Sequence, residues 1–95
     1  MKTYPLTVST PDGDAFRGEV ICLSLRGTAG DLAVLAGHIP FVTSVVPCTA
    51  VITLPSEEEI TARVEGGLLT VGKNGTVLLT GSFQKTETTE SELRV

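Results

Sequence analysis

The stretch "ITARVEGGLLTVGKNGTVLLT", residues 60–80, carries the clearest structural signal in the chain. Apolar residues alternate with polar ones over 60–64, the two-residue period of a strand that buries one face. Gly66-Gly67 then predicts a reversal into the next apolar run. Asn74-Gly75 predicts a second reversal, because Asn and Gly tolerate the left-handed backbone angles of tight turns. We therefore expect two consecutive hairpins here.

The same period recurs along the chain, in short apolar runs that end at Pro, Gly, Asn or Asp, the residues of turns. Thr10-Pro11-Asp12-Gly13-Asp14 predicts a turn after the first run, and Pro47 separates two later runs. One run, Glu19–Arg26, places Ile21, Leu23 and Leu25 on one face and predicts a central strand. The predicted strands are Thr3–Ser9, Glu19–Arg26, Leu32–Leu35, Phe41–Val46, Thr49–Leu54, Ile60–Glu65, Leu68–Val71 and Thr76–Thr80. Strands without a helical period between them favour an all-β fold, a small antiparallel β-sandwich of two packed sheets with about 8–10 short strands, or a small barrel.

Composition divides the chain near residue 82. A chain of 95 residues with 41% hydrophobic content builds one core and has little material for a second. We assign residues 1–82 to the β-sandwich domain and residues 83–95 to a polar tail. Within the tail, Thr89–Glu92 has the form of a capping box, which predicts the start of a helical segment whose remainder is missing.

Charge and cysteine content exclude several classes of protein. A net charge of -4 with seven Lys plus Arg argues against nucleic acid as a partner, which requires a basic surface. No apolar run reaches the roughly 20 residues of a membrane span, and the start has no secretory signal, so we expect a soluble intracellular chain. Cys22 and Cys48 lack the spacing of metal or redox motifs, and we expect two small buried hydrophobes without a disulfide.

His38, in "LAVLAGHIPFVT", is the one histidine of the chain. Four interpretations of this residue are open: a catalytic base, a metal ligand, a buried hydrogen-bonded residue, or part of a surface that another protein covers. As a base it would need Cys22 or Cys48 as nucleophile, and apolar strands disfavour their reactive thiolates. As a metal ligand it lacks partners. A bond to a turn carbonyl and a covered surface both remain open, and they are compatible.

Two further features test for a cofactor. Gly27–Gly30 lacks the Gly-Lys-Ser/Thr ending of a phosphate loop, so we expect turn glycines and no cofactor. Lys73 lies at a predicted hairpin tip, where carrier domains hold a prosthetic group. It lacks the Met-Lys-Met or Asp-Lys-Ala flanks of lipoyl and biotinyl domains, which favours an exposed turn lysine. An unrelated β-sandwich binding or carrier module remains the alternative function.

Five stretches together carry a family resemblance. They are residues 6–13 (LTVSTPDG), 16–20 (FRGEV), 28–43 (TAGDLAVLAGHIPFVT), 64–71 (VEGGLLTV) and 74–79 (NGTVLL). In this order and spacing, over residues 3 to 82, the chain resembles the N-terminal β-sandwich domain of the epsilon subunit of F-type ATP synthases, called delta in mitochondria. Ala33 and Ala36 stand where the family has Gly and Pro, changes that keep the residues small.

The resemblance implies a rotor part and not an enzyme. In the family this domain sits at the foot of the central stalk, packed against the gamma subunit and resting on the c-ring, and couples proton translocation to ATP synthesis on other subunits. It implies a peripheral position at the cytoplasmic face of the bacterial membrane, with no cofactor and no small-molecule substrate. The family's C-terminal helical hairpin is absent from this chain. Only Arg94 agrees with its nucleotide motif, so we expect no ATP binding.

The resemblance also assigns contact residues. An acidic residue facing the ring falls on Asp31, and the segment that meets gamma and the ring falls on His38 to Thr43. The predicted subunit interface comprises Thr28, Ala29, Gly30, Asp31, His38, Ile39, Pro40, Phe41, Val42 and Thr43.

Overall fold

The computed structural model describes residues 2–86 and contains ten β-strands. They are β1 (Tyr4–Thr10), β2 (Gly13–Val20), β3 (Cys22–Gly27), β4 (Gly30–Leu35), β5 (Phe41–Val45), β6 (Cys48–Thr53), β7 (Glu59–Val64), β8 (Gly67–Gly72), β9 (Gly75–Thr80) and β10 (Phe83–Lys85). Within residues 2–86 there is no helix, so the all-β prediction is confirmed. The capping box at Thr89–Glu92 lies outside the described residues.

One hydrogen-bonded sheet folds over on itself to make the two layers of the sandwich. Nine strands follow the order β10-β7-β6-β3-β5-β8-β9-β1-β2, and β4 pairs with β3. The first layer contains β4, β3, β6, β7 and β10, and the second contains β5, β8, β9, β1 and β2. Every strand pair is antiparallel except β1 with β9, in which Leu6 lies opposite Thr76.

The layers are joined by three segments that cross from one to the other side by side. These are residues 41–53, 59–72 and 75–85, each made of two strands. All three change layer at the same place, at residues 46–47, 65–66 and 81–82. We call these six residues the shared bend. Sheets that turn such corners do so through strands that continue from one layer into the next.

Strand register is unbroken across the shared bend. Val45 pairs with Gly67 before it, and Cys48 pairs with Val64 after it, three residues further along each strand. The third segment keeps step, with Thr80 opposite Gly67. The hydroxyl of Thr80 donates a 2.6 Å hydrogen bond to the carbonyl of Gly66 in the middle segment. The three segments therefore form one antiparallel ribbon that is folded once.

Gly66 belongs to this bend and Gly67 follows it as the first residue of β8, so the predicted hairpin at that position is wrong. Gly66 has φ +99°, and a Cβ there would lie 2.8 Å from the carbonyl oxygen of Val45. Gly67 has φ +148°, and a Cβ there would overlap the carbonyl oxygen of Leu79. The pair permits a bend and a close approach of strands on both sides, and the chain runs onward instead of reversing. Pro47 separates β5 from β6 as predicted.

Two other predicted reversals are confirmed. Pro11-Asp12 joins β1 to β2, and Lys73-Asn74 joins β8 to β9, each as a two-residue turn. The physical reason given for the second was wrong, because Glu57 is the one non-glycine with positive φ in the described part of the chain. At that hairpin the unusual angle belongs to Gly75, where φ is +154° and Pro5 lies close by.

The predicted central strand Glu19–Arg26 is in fact the end of β2 and most of β3. Ile21 lies between them, half-buried, and its N–H donates to the carbonyl of Thr53 at 2.8 Å. The chain changes layer here, and the unbroken apolar run conceals the break. The start of β2 was not predicted, because its exposed edge position permits polar residues without alternation.

The sheet also continues past residue 82. Phe83–Lys85 forms β10, which pairs with β7, although composition assigned these residues to the polar tail. Phe83 is half-buried against the core, while Gln84 and Lys85 are exposed. A three-residue strand at a sheet edge needs only one apolar side chain, so its composition resembles that of a tail.

The core fills the space between the layers. Its fully buried large side chains are Leu6, Leu23, Ile52, Leu69 and Leu78. At the end away from the shared bend, the hydroxyl of Tyr4 in β1 donates a 2.7 Å hydrogen bond to the carbonyl of Val34 in β4. Burial, with the nearby Cys22, raises the pKa of Tyr4 well above its ordinary value. This bond links the two layers at the end of the sandwich opposite the shared bend.

Candidate protein-contact site

The loop between β4 and β5 makes a tight, exposed corner at the end of the sandwich opposite the shared bend. The N–H of His38 donates to the carbonyl of Leu35 at 3.2 Å, which closes the turn. Gly37 adopts φ +85°, and nothing lies within 4 Å of where a Cβ would be. Pro40 then directs the chain into β5. The backbone is fixed by these contacts, and the side chains point outward.

His38 is exposed, which removes the interpretation as a buried core residue. Its Nδ1 lies 3.2 Å from the carbonyl oxygen of Ile39. Its ring lies on Phe41, with 5.0 Å between ring centroids and planes at 51°. The imidazole therefore contacts both a turn carbonyl and an aromatic ring, and these contacts order the surface of the corner.

Three large apolar side chains in this loop and at its two ends are exposed. Ile39 is 77% exposed, Val42 is 61% exposed and Leu35 is 54% exposed. We call residues 35–42 the apolar corner. Exposed large hydrophobics that lie together are typical of surfaces that another protein covers.

The second predicted group, Thr28 to Asp31, lies at the other end of β4. Thr28 and Ala29 form the exposed turn between β3 and β4. Asp31 and Arg26 are directly opposite each other on the two strands, and Arg26 Nε lies 3.0 Å from Asp31 Oδ1. Both side chains are more than half exposed, so water screens the pair. The acidic residue predicted to face the ring is thus held by a neighbouring cation.

The structure therefore divides the predicted interface. A six-residue strand separates the apolar corner from the Thr28–Ala29 turn by about 20 Å. β5 runs back between them, and the N–H of Thr28 donates to the carbonyl of Ser44 at 3.2 Å. Along β5 the side chains alternate. Val42 is exposed, whereas Phe41 and Thr43 are half-buried and offer less surface to a partner.

Sequence reasoning missed an apolar area on the outer face of the second layer. Leu68 is 40% exposed and Leu79 is 48% exposed, and they lie directly opposite each other on β8 and β9. Val77, two residues along β9, is 36% exposed. The signal was in the doubled leucines at 68–69 and 78–79, because in a strand two adjacent leucines cannot both point inward.

The candidate nucleophiles are built into the sheet. Cys48 is buried, and its Sγ accepts a 3.4 Å hydrogen bond from the backbone N–H of Arg26. Cys22 is half-buried, so the prediction of full burial is wrong for this residue, whose side chain lies on the outer side of β3. Both are free thiols.

Lys73 is exposed at the tip of the β8–β9 hairpin, as the sequence predicts. In the described range 2–86, no three His, Cys, Asp or Glu side chains come together in a way that would hold a metal ion. No helix in that range is long and apolar enough to cross a membrane. Fold and exposed residues together define a small β-sandwich domain with exposed apolar side chains at one corner and on one outer face.

Comparison with known proteins identifies the family. The model of the ATP synthase delta/epsilon chain β-sandwich domain matches residues 3–86. The ATP synthase epsilon chain of Bacillus velezensis is 30% identical over 92 residues, 97% of this chain and 69% of the relative. The epsilon chain of Priestia megaterium is 37% identical over 87 residues, which cover 92% of this chain and 64% of the relative. The epsilon chain of Afipia carboxidovorans is 38% identical over 79 residues, which cover 83% of this chain and 57% of the relative.

Solved structures share the fold. A chain of the Euglena gracilis mitochondrial ATP synthase, OSCP/F1/c-ring, superposes with a TM-score of 0.84 at 20% identity, over 96% of this chain and 58% of that chain. A chain of the Tetrahymena thermophila mitochondrial ATP synthase central stalk and c-ring superposes with a TM-score of 0.72 at 13% sequence identity. The match covers 86% of this chain and 66% of that chain.

The chain belongs to the ATP synthase delta/epsilon family and contains its β-sandwich domain. It spans between 57% and 69% of the length of these curated relatives.

Proposed function

We propose that this chain is a central-stalk subunit of an F-type ATP synthase, linking the gamma subunit to the c-ring. In this role it binds no substrate and catalyses no reaction. It rotates with its partners and couples proton translocation to ATP synthesis, which occurs on other subunits. It acts at the cytoplasmic face of a bacterial membrane, attached through the complex. The family match and the epsilon-chain relatives support this role.

The apolar corner is the observation that carries the proposal. Three large hydrophobic side chains are more than half exposed there, on a loop whose turn is closed by the hydrogen bond from His38 to Leu35. Burying such side chains at an interface removes apolar area from water, at about 25 cal/mol per Å². A rigid loop also loses little entropy on binding. We assign the apolar corner, which includes Val42 of β5, to gamma.

The Thr28–Asp31 turn suits a different partner. It is polar, exposed and about 20 Å from the corner, so one small surface does not cover both. We assign it to the c-ring, with the Asp31 carboxylate as its acidic contact. Arg26 keeps that carboxylate in place across the strand pair.

A binding experiment with the cognate gamma subunit tests the first assignment. The unmodified chain is expected to form a one-to-one complex in a pull-down and in size-exclusion chromatography. Ile39→Asp is expected to lose it. Thr49→Asp is the matched control, because it adds the same charge to an exposed site on β6, in the other layer. If the unmodified folded chain forms no complex, the proposed function fails and the binding or carrier alternative moves to first place, with a mass shift on Lys73 as its marker.

A coupling experiment tests the second assignment. The double variant Asp31→Lys with His38→Ala changes both predicted contacts without touching the core. Membranes that carry it are expected to assemble less gamma onto the ring and to lose proton-driven ATP synthesis. Normal assembly and normal synthesis in the double variant would overturn the assignment of both contacts.

A further inference from the structure

We infer that the turn between β8 and β9 is a site of spontaneous covalent modification, in which the side-chain amide of Asn74 is lost and the backbone rearranges. The reacting residues are Asn74 and Gly75, and the co-reactant is water. The modification adds a carboxylate at the end of the sandwich that carries the apolar corner. It requires no partner protein, so the inference goes beyond the proposed function and does not depend on it.

The reaction begins at the backbone nitrogen of Gly75. This nitrogen forms a bond to the side-chain carbonyl carbon of Asn74. The side-chain nitrogen takes up the proton that the Gly75 nitrogen loses and leaves as ammonia, which produces a cyclic imide. One water molecule then opens the ring. Opening at the side-chain carbonyl gives aspartate, whereas opening at the main-chain carbonyl gives isoaspartate, in which the backbone runs through the former side chain.

Both residues meet the steric demands of ring closure. Asn74 is exposed at the tip of the hairpin, so its amide turns toward the next residue without leaving a packed site. Gly75 has no side chain to hinder the approach of its nitrogen to that amide. Asn74 is also the only asparagine of the chain. The reaction therefore has one candidate amide, and it lies beside the least hindered neighbour.

The other two-residue turn shows how lightly this one is held. Between β1 and β2, the hydroxyl of Thr10 accepts a 3.1 Å hydrogen bond from the N–H of Asp12 and donates a 3.0 Å bond to the carbonyl of Gly13. The turn between β8 and β9 is flanked by two glycines, which have no side chains to hold it in this way. Local opening costs least where few contacts must break. We therefore expect the turn at Asn74 to open more readily.

Either product changes the cleft between the apolar corner and the hairpin tip. Asn74 lines this cleft together with the titratable side chains of Tyr4, His38 and Lys73, and no acidic residue of the described range 2–86 lines it. The new carboxylate is thus the first negative side chain there. Isoaspartate also lengthens the backbone of a two-residue turn, which disturbs the pairing of β8 with β9.

Peptide mapping by mass spectrometry tests the inference on the full chain incubated at mildly alkaline pH. The peptide that holds residue 74 is expected to gain the mass difference between an amide and an acid, and an isoaspartyl methyltransferase is expected to label it. The rate in the folded chain is expected to lie within about tenfold of the rate in urea, or about 1.4 kcal/mol in the barrier. Circular dichroism verifies that the incubated chain is folded.

Two variants serve as matched controls. Asn74→Gln keeps an amide at the turn but requires a larger ring, so it is expected to remain unchanged. Asp12→Asn places the same pair of residue types in the turn that Thr10 holds, and position 12 is expected to convert more slowly than Asn74 in the same molecule.

Three results would overturn the inference. If the folded chain converts more slowly than the chain in urea by more than the stated factor, the turn protects Asn74. If Asn74→Gln gains the same mass, another residue is the source. If position 12 of Asp12→Asn converts as fast as Asn74 or faster, the contacts of the turn do not control the reaction.

Discussion

The shared bend and the apolar corner lie at opposite ends of the sandwich and use the same small residues for opposite purposes. At the bend, Gly66 and Gly67 let backbones approach so closely that no Cβ fits. At the corner, Gly37 also has positive φ, but nothing lies within 4 Å of where its Cβ would be. Glycine therefore allows close backbone packing at the bend, whereas at the corner it allows an exposed turn. We therefore expect mutations at the bend to cost stability and mutations at the corner to cost binding.

The largest expected effect is that of Gly67→Ala. The new methyl group overlaps the Leu79 carbonyl, and the strands must separate, so we expect a loss of at least about 4 kcal/mol in the free energy of unfolding. Gly37→Ala is the control at the corner, with a cost of about 1–2 kcal/mol from the left-handed angle alone. Urea denaturation followed by circular dichroism measures both. Equal losses would remove the distinction between the two ends.

A smaller effect is expected at Thr80, which is buried and donates to the carbonyl of Gly66 within the bend. Thr80→Val keeps the shape and removes the donor, at a cost of about 1–2 kcal/mol for the unsatisfied carbonyl. Thr70→Val, on the outer side of β8, is the matched control and is expected to be nearly neutral. If the two variants unfold at the same urea concentration, the hydrogen bond does not stabilise the bend.

Tyr4→Phe probes how the layers are held together near the corner. Loss of the bond to the Val34 carbonyl is expected to cost about 1 kcal/mol. The raised pKa of Tyr4 adds a pH dependence. The unfolded chain releases the tyrosine proton at about pH 10, and the folded chain releases it at higher pH. The contribution of Tyr4 to the free energy of unfolding is therefore constant below about pH 10 and falls above it, by up to about 1.4 kcal/mol per pH unit.

Tyr4 is the only tyrosine of the chain, so its ionisation is visible directly in the ultraviolet spectrum. Denaturation between pH 9 and pH 11 is expected to show this fall in the unmodified chain and a smaller one in Tyr4→Phe. Parallel curves for the two proteins would mean that other groups control alkaline stability.

The smallest expected effect on stability is that of Ile39→Asp, within about 0.5 kcal/mol, because the side chain is 77% exposed. The same variant is expected to abolish the gamma complex. Stability and binding then separate completely at this position. A loss of stability as large as that of Thr80→Val would show that the corner is part of the fold's support and not a free contact surface.

Much of the fold was predictable because its determinants are local. Alternation located most strands, and Pro11-Asp12 and Lys73-Asn74 marked real turns. Gly66-Gly67 was misread because a glycine pair permits a reversal and a bend equally. The outcome is decided by which strands lie alongside, and these include β5, where Val45 pairs with Gly67 although the two are 22 residues apart (67 − 45).

The candidate site was predictable to a similar degree. The composition of the corner indicated a surface feature at His38, and its exposure agrees with that. The division of the interface between two ends was not predictable, because it depends on the direction of β4. The outer face was missed because strand alternation was used to find the core, while the doubled leucines also placed apolar side chains on the outside.

The parallel pair of β1 with β9 has a consequence for the time course of synthesis. Leu6 and Thr76 lie opposite each other although they are 70 residues apart (76 − 6). At about 5–20 residues per second, a ribosome makes β1 about 4–14 s before its partner strand. During that interval the β1–β2 hairpin exists without the sheet that buries it, and isolated hairpins are marginally stable in water. The first strand to be made is therefore among the last to find its place.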